Sequence, residues 1–105
     1  METALRALAE PRRRRILTLV RDGELSAGEI ASHFEISRPA VSQHLTVLRE
    51  AGLVDERRNG TRRLYRARPE GLAELKAFLD GFWDERLASL KREAEHEEAA
   101  DATDR

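Results

Sequence analysis

The fold is decided by the stretch Ser26-Ala-Gly-Glu-Ile-Ala-Ser-His-Phe-Glu-Ile-Ser-Arg-Pro-Ala-Val-Ser-Gln-His-Leu45. Ser26 and Glu29 have the Ser-x-x-Glu spacing of a capping box, which predicts that a helix begins there. Ser37 is suited to cap a second helix, and Pro39 falls in the first turn of that helix, where no intrahelical amide is lost. Two short helices joined by a tight turn are the arrangement of a helix-turn-helix.

An arginine-rich hairpin follows the second of these helices. Asn59-Gly60 is the strongest hairpin signal in the chain, and it separates a strand that begins at Leu53-Val54 from a return strand around Leu64–Arg66. Together these features predict a mainly α fold with a two-stranded β-wing, the winged helix-turn-helix. Because such a fold holds one helix in a DNA major groove, we expect double-stranded DNA to be a partner.

The second helix carries side chains that we expect to contact the bases. Val41, Leu45 and Leu48 recur at i, i+4 and i+7 and define its buried stripe. Gln43 lies on the opposite face and is the best base-contacting candidate, because its amide can bond adenine through two groups at once. The residues predicted to contact DNA from this helix and its cap are Ser37, Arg38, Pro39, Ala40, Ser42, Gln43 and Thr46.

The hairpin is also predicted to contact DNA. Four guanidinium groups on one ribbon repel one another unless an anion is nearby, and phosphates or a flanking minor groove would supply that negative charge. The alternative is that these charges protect an exposed edge strand from aggregation. We favour DNA contact because a helix-turn-helix directly precedes the hairpin. The residues concerned are Arg57, Arg58, Asn59, Thr61, Arg62 and Arg63.

The sequence leaves the roles of several other cationic side chains open. The run Arg12–Arg15 fits either a solvated helix face or contact with the DNA backbone. His44 lies beside the buried stripe, so it is either a packing or capping histidine or a phosphate contact. His33 is near the end of its helix, where a capping cation is more usual than a ligand.

A broad apolar stripe marks the last predicted helix, from Glu70 onward. At 100° per residue, its large apolar side chains from Leu72 to Leu90 cover about half of the helix circumference, which is more than one small domain needs. The same helix of a second copy would cover the excess in a two-fold dimer. The alternative is that the face of residues 72–90 docks a different protein.

The length and composition of the chain limit its domain number and its class of protein. A chain of 105 residues suggests one domain, which we place over residues 1–92. Residues 93–105 are acidic and lack apolar periodicity, which predicts a frayed helix end and a disordered tail. Residues 1–69 hold 14 Lys/Arg and 9 Asp/Glu, whereas residues 70–105 hold 5 and 11, a contrast typical of a basic working face. Because no long apolar run is present near Met1, we expect neither a signal peptide nor a membrane span. We therefore predict a cytoplasmic protein.

Enzymatic function is not expected. The sequence has no nucleophile–base pair, no glycine-rich phosphate loop and no cluster of metal ligands, so we predict neither catalysis nor a cofactor. It also contains no cysteine, which excludes a disulfide framework and a thiol redox switch.

Four segments of the chain resemble the ArsR/SmtB family of bacterial winged-helix repressors. They are Glu24–Ile30, Ser37–Leu45, Leu48–Val54 and Arg57–Tyr65, and the resemblance covers about residues 3–90. It implies a homodimer formed by the first and last helices, which binds an imperfect palindrome near its own promoter until a signal releases it. The residues assigned to that interface are Leu5, Leu8, Leu75, Phe78, Leu79, Phe82, Trp83 and Leu87.

The chain departs from the metal-sensing members of that family. Such members often carry Cys-x-Cys where this chain has Ser26 and Gly28, and thiolates are the ligands that soft metals need. Others bind zinc through Asp-x-His on the last helix, whereas here Asp80 and Asp84 lack the histidine. We therefore predict no metal site, and the effector is left open between a small molecule, a protein and none at all.

Overall fold

The structure is a computed structural model, which describes the backbone of residues 1–103 and the side chains of residues 1–97. It comprises two units, Met1–Leu75 and a helical unit that begins at Lys76. The elements are, in order, α1 (Glu2–Leu8), α2 (Pro11–Leu19), β1 (Leu25–Ser26), α3 (Ala27–Ala31), α4 (Arg38–Glu50), β2 (Val54–Asn59), β3 (Arg62–Ala67), a 3-10 helix (Pro69–Leu72) and α5 (Ala73–Thr103).

The two caps predicted for the helix-turn-helix are confirmed. The Glu29 amide donates to the Ser26 hydroxyl at 3.1 Å, and the Ser26 amide donates to the Glu29 carboxylate at 3.3 Å, which completes the capping box of α3. The Ala40 amide donates to the Ser37 hydroxyl at 3.2 Å at the start of α4. Each cap satisfies an amide that its helix leaves without an internal partner.

The core of the first unit lies where the helix-turn-helix meets the sheet. Val41, Leu45 and Leu48 of α4 are fully buried, as the i, i+4, i+7 spacing predicts. They pack with other buried apolar side chains, which include Ile16, Val20, Ile30, Leu53 and Val54. Full burial of one such side chain contributes about 1.5–3 kcal/mol. The core therefore fixes the orientation of α4 and leaves its other face to solvent.

The inner face of α1 differs from the one that its large residues suggest. Ala4 and Ala7 are buried, whereas Leu5 is exposed and Leu8 is half-buried against the core. Small side chains let the short helix α1 approach its neighbours closely. The leucine spacing therefore does not mark the face that this unit buries.

The end of α4 is built as a Schellman motif. The Gly52 amide donates to the Arg49 carbonyl at 2.9 Å, and the Leu53 amide donates to the Leu48 carbonyl at 2.9 Å. Gly52 has a φ of 74°, and the buried Leu53 side chain begins the return toward the wing. This turn sets the direction in which the hairpin leaves the end of α4.

The wing forms as predicted, with one short strand added. β2 and β3 pair antiparallel from Val54↔Ala67 to Asn59↔Arg62, so Gly60 and Thr61 form a two-residue loop. Gly60 has a φ of 64° and Thr61 does not have a positive φ, the pattern of a type II′ turn with glycine first. β1 pairs with β3, giving the order β1-β3-β2. Two residues are too short to show a period, so the sequence does not reveal β1.

Gly71 lies against the backbone of the Schellman turn, and we expect Gly71→Ala to be strongly destabilising. A Cβ at this position would stand 2.0 Å from the Gly52 carbonyl oxygen, which is backbone and cannot rotate away. We expect the free energy of unfolding to fall by about 3 kcal/mol, measured by urea denaturation. Gly23→Ala is the matched control, because a Cβ there would meet no atom within 4 Å. An equal effect of the two substitutions would contradict this packing.

The helix α5 continues beyond the point at which the sequence predicts a frayed end. Its backbone is helical over residues 93–103, and the disordered acidic tail expected from the sequence stays a prediction. Alanine and glutamate are strong helix formers, so a segment without apolar periodicity still continues the helix. The remainder of that prediction, residues 104–105, lies outside the described residues, and the domain boundary after residue 92 stays a prediction. None of the helices within residues 1–103 has the length and apolar character needed to cross a membrane.

Candidate nucleic-acid interface

The helix α4, called the recognition helix below, presents polar and small side chains on its outer face. Ser37, Arg38, Pro39, Ser42, Gln43 and Thr46 are exposed, and Ala40 is half-buried. Successive residues of an α-helix are rotated by about 100°. Since Val41 and Leu45 point into the core, Gln43 midway between them points outward, with Ser42 on one side and His44 on the other. Gln43 is therefore exposed on the outer face of α4.

A basic cleft joins the start of the recognition helix to the wing. It has a volume of about 380 Å³, and its lining includes Arg38 and Ser42 of α4 together with Thr61, Arg62 and Arg63 of the wing. Ser26 and Ala27, at the first turn of α3, complete its inner edge. The fold thus brings two segments that are about twenty residues apart in sequence into one surface that suits an anion.

Three of the four wing arginines already have carboxylate partners within the first unit. Arg57 pairs with Glu24 at 2.9 Å, Arg62 pairs with Glu29, and Arg63 lies 3.6 Å from Glu56. Carboxylates of the chain itself therefore supply negative charge near these guanidinium groups, and the predicted contact of the wing with DNA stays a prediction. Their carboxylate partners come from the loop before β1, from α3 and from β2, and only the folded chain shows which of these acids face the wing.

These ion pairs leave the wing arginines available to phosphate. The side chains of Arg57, Arg62 and Arg63 are each more than half exposed, and exposed ion pairs contribute little to stability. Arg58 is directly opposite Arg63 in the hairpin and makes no ion pair within residues 1–97. Exchange of these carboxylates for another anion would therefore cost little.

Two acidic residues connect the wing to the helices. Hydrogen bonds from the Ser26 hydroxyl and the Ser26 amide, helped by Arg62, hold the pKa of Glu29 below its usual value. Glu56 accepts from Arg49 of the recognition helix at 2.5 Å. Burial raises the pKa of Tyr65, and the neighbouring Glu56 carboxylate raises it further. Glu29 and Glu56 thus link the wing to α3 and α4 through their contacts with Arg62 and Arg49.

The Arg12–Arg15 run divides between structural roles and a surface role. The Arg13 guanidinium donates to the Ala7 carbonyl at 2.6 Å, and Arg14 donates to the Leu8 carbonyl at 2.7 Å, so both cap the end of α1. Arg13 also lies 3.4 Å from Nδ1 of the half-buried His44, which favours a packing role for that histidine. Arg12 and Arg15 are exposed.

The residues assigned to the dimer interface are mostly exposed. Leu5, Phe78, Leu79, Phe82, Trp83 and Leu87 are exposed, whereas Leu8 and Leu75 are half-buried. In α5, Phe78 and Phe82 pack edge to face with centroids 5.1 Å apart, and Trp83 is 61% exposed. Large apolar side chains left in solvent in this way mark an interaction surface.

Among the residues whose side chains the structure describes, no three or more His, Cys, Asp and Glu residues gather as metal ligands. Ser26 and Gly28 both have structural positions. Ser26 caps α3, and Gly28 lies beneath the Arg38 guanidinium, whose nearest nitrogen is 3.6 Å from the place of a Cβ.

The fold and this surface define the class of the protein: a winged helix-turn-helix transcriptional regulator that binds DNA. The profile of the family described as "Bacterial regulatory protein, arsR family" matches residues 10–56. The chain is 49% identical over 86 residues to the HTH-type transcriptional regulator Rv2034 of Mycobacterium tuberculosis. The aligned region covers 82% of this chain and 80% of that protein. The chain belongs to the arsR family.

Two further comparisons agree with that assignment. The transcriptional repressor SdpR of Bacillus subtilis is 42% identical over 60 residues, which are 57% of this chain and 67% of that protein. The solved structure of an ArsR-like transcriptional regulator from Rhodococcus sp. RHA1 superposes with a TM-score of 0.72 at 33% identity, covering 90% of this chain and 89% of that one. Because the members of this family are transcriptional regulators, the prediction that the chain is not an enzyme is confirmed. The same finding does not favour the alternative of a winged helix used only for protein contact.

Proposed function

We propose that this regulator is a dimeric repressor that binds an imperfect palindrome near its own promoter. The observation that carries the proposal is the continuous surface formed by the outer face of the recognition helix, the basic cleft and the wing. Repression is the activity for which the relative SdpR is named. A regulator of this kind works where chromosomal DNA is, which agrees with the cytoplasmic location expected from the sequence.

We assign the contacts by chemistry. Gln43 and Arg38 point toward base edges and supply discrimination, because amide and guanidinium groups can each make paired bonds to a purine. Arg57, Arg58, Arg62 and Arg63 bind phosphates or a flanking minor groove and supply most of the affinity. Ser37, at the N-terminus of the recognition helix, offers its hydroxyl to a phosphate where the helix already favours an anion.

The dimer is proposed to form through the exposed apolar face of α5, together with α1. A two-fold axis through that face would present two recognition helices to successive major grooves, about 34 Å apart. The operator would then be a palindrome, because each copy contacts the same half-site. The signal that releases the repressor is a small molecule, a protein partner, or nothing beyond the repressor's own concentration.

Fluorescence anisotropy on the DNA upstream of its own gene tests the proposal directly. We expect tight binding at two chains per duplex, weaker binding to a scrambled duplex, and a steep loss of affinity between roughly 50 and 200 mM salt. The salt dependence follows from the number of guanidinium–phosphate contacts. Equal weak binding to both duplexes would contradict the autoregulatory operator, and no binding to either would contradict the DNA-binding role of this surface.

A further inference from the structure

A second basic cleft adjoins the recognition helix region, at a different place from the wing cleft. It lies between the start of α2 and the turn that joins α3 to α4, and has a volume of about 610 Å³. Its lining includes Arg12 and Arg15 of α2 and His33, Phe34 and Glu35 of the turn. We call Arg12, Arg15 and His33 the α2 flank.

The α2 flank lies on the side of the recognition helix opposite the wing. Ser42 lines the wing cleft, and His44 meets Arg13 of α2 at 3.4 Å. Two residues along an α-helix differ by about 200° in direction, so Ser42 and His44 face nearly opposite ways. Gln43 points outward between them. The recognition helix is therefore bordered by the wing on one side and by the start of α2 on the other.

Neither Arg12 nor Arg15 makes an ion pair among the side chains that the structure describes. The Arg15 guanidinium carbon lies 5.1 Å from the centroid of the Phe34 ring, a cation–π contact that orients Arg15. Glu10 is committed to the cap of α2, where its carboxylate accepts from the Arg13 amide at 3.1 Å. The carboxylate in the lining is that of Glu35, so two guanidinium groups face one acid.

We propose that the α2 flank is a second phosphate-binding surface, which contacts the DNA strand across the major groove from the strand held at the wing. The proposal rests on the proposed function. The major groove is about 12 Å wide and a helix with its side chains is about 10–12 Å across, so an inserted recognition helix has a sugar–phosphate backbone on each side. The wing and the basic cleft beside it bind one sugar–phosphate backbone of the DNA, and Arg12 and Arg15 bind the other.

This assignment divides the Arg12–Arg15 run by function. Arg13 and Arg14 cap α1 and are structural, whereas Arg12 and Arg15 contact DNA. Clamping both backbones fixes the register of the recognition helix in the groove, because phosphate contacts position a protein on the duplex.

The test compares Arg12→Gln, Arg15→Gln and the charge-matched control Arg21→Gln by anisotropy over a series of salt concentrations. Arg21 is an exposed residue just beyond the other end of α2 and pairs with Asp22 at 3.1 Å. We expect Arg12→Gln and Arg15→Gln each to lower affinity roughly five- to tenfold per half-site at 0.1 M salt, and to reduce the salt slope of the dimer by about 1.8, the value for one lost phosphate contact in each half-site. The loss is expected to be similar on the operator and on scrambled DNA, and Arg12→Lys is expected to restore the slope.

The possible results separate the two proposals. Suppose that the wild-type protein binds DNA, and that Arg12→Gln and Arg15→Gln keep both the wild-type circular dichroism spectrum and the wild-type salt slope. The proposal that the α2 flank binds phosphate is then overturned, while the proposed function stands. An equal loss of slope in Arg21→Gln also overturns it, because the effect is then one of net charge. Absence of DNA binding by the wild type overturns both proposals.

Discussion

Trp83→Glu is expected to convert the protein to a monomer and to lower its affinity for the upstream DNA by a factor of 100 or more. Trp83 is 61% exposed in the single chain, so the substitution costs that chain little, but it would place a charge in the centre of the proposed α5 interface. A monomer loses the gain from two linked half-sites, which amounts to roughly 10²–10⁴ in avidity. Light scattering measures the mass, and anisotropy measures the affinity.

Ala88→Glu is the matched control for Trp83→Glu. Ala88 is also exposed on α5, but at 100° per residue it falls on the side opposite the apolar stripe. We expect this variant to keep the mass and the affinity of the wild type. A dimeric Trp83→Glu variant with normal DNA affinity would exclude the α5 face as the interface, and a partner protein would then become the better explanation of that face.

Gln43→Ala is expected to relax sequence specificity, with little effect on binding to random DNA. Loss of one good paired contact to a base removes about 1–3 kcal/mol of discrimination, and a dimer loses it in each half-site. The measurement is the ratio of dissociation constants for the operator and for duplexes that carry single base changes. Discrimination should fall at one base pair per half-site and persist elsewhere.

Arg62→Ala provides the contrasting case to Gln43→Ala. Arg62 is exposed on the wing and paired with Glu29, so its proposed use is electrostatic. We expect similar losses of affinity on all sequences and a salt slope lower by about 1.8 for the dimer, which loses one phosphate contact in each half-site. If the two variants changed specific and random binding in the same way, the division between base contact by the recognition helix and phosphate contact by the wing would be wrong.

Several features of the fold are encoded within a few neighbouring residues. The capping box at Ser26 and Glu29 and the buried stripe of α4 were predictable, because a cap and a helical period are both written within a few residues. The hairpin around Gly60 was predictable for the same reason, since a positive φ in a two-residue loop favours glycine. The apolar stripe of α5 was likewise visible from its period.

Pairings between distant segments could not be predicted in this way. Nothing near Arg62 in the sequence indicates that Glu29 would face it, and the same holds for Arg57 and Glu24, which are 33 residues apart. The burial of Ala4 and Ala7 in place of the leucines of α1 depends on how closely α1 approaches its neighbours. The close approach of Gly71 to the Gly52 carbonyl likewise exists only after the chain turns back on itself.

The winged helix-turn-helix and the outward face of α4 can be predicted from the amino-acid sequence, because caps, helical periods and turn residues act over short range. The roles of individual arginines, as caps of α1 or as partners of glutamates, follow from the folded chain alone. Those roles depend on distances between segments that are brought together by packing of the core, and a charge in a sequence carries no information about its neighbours in space.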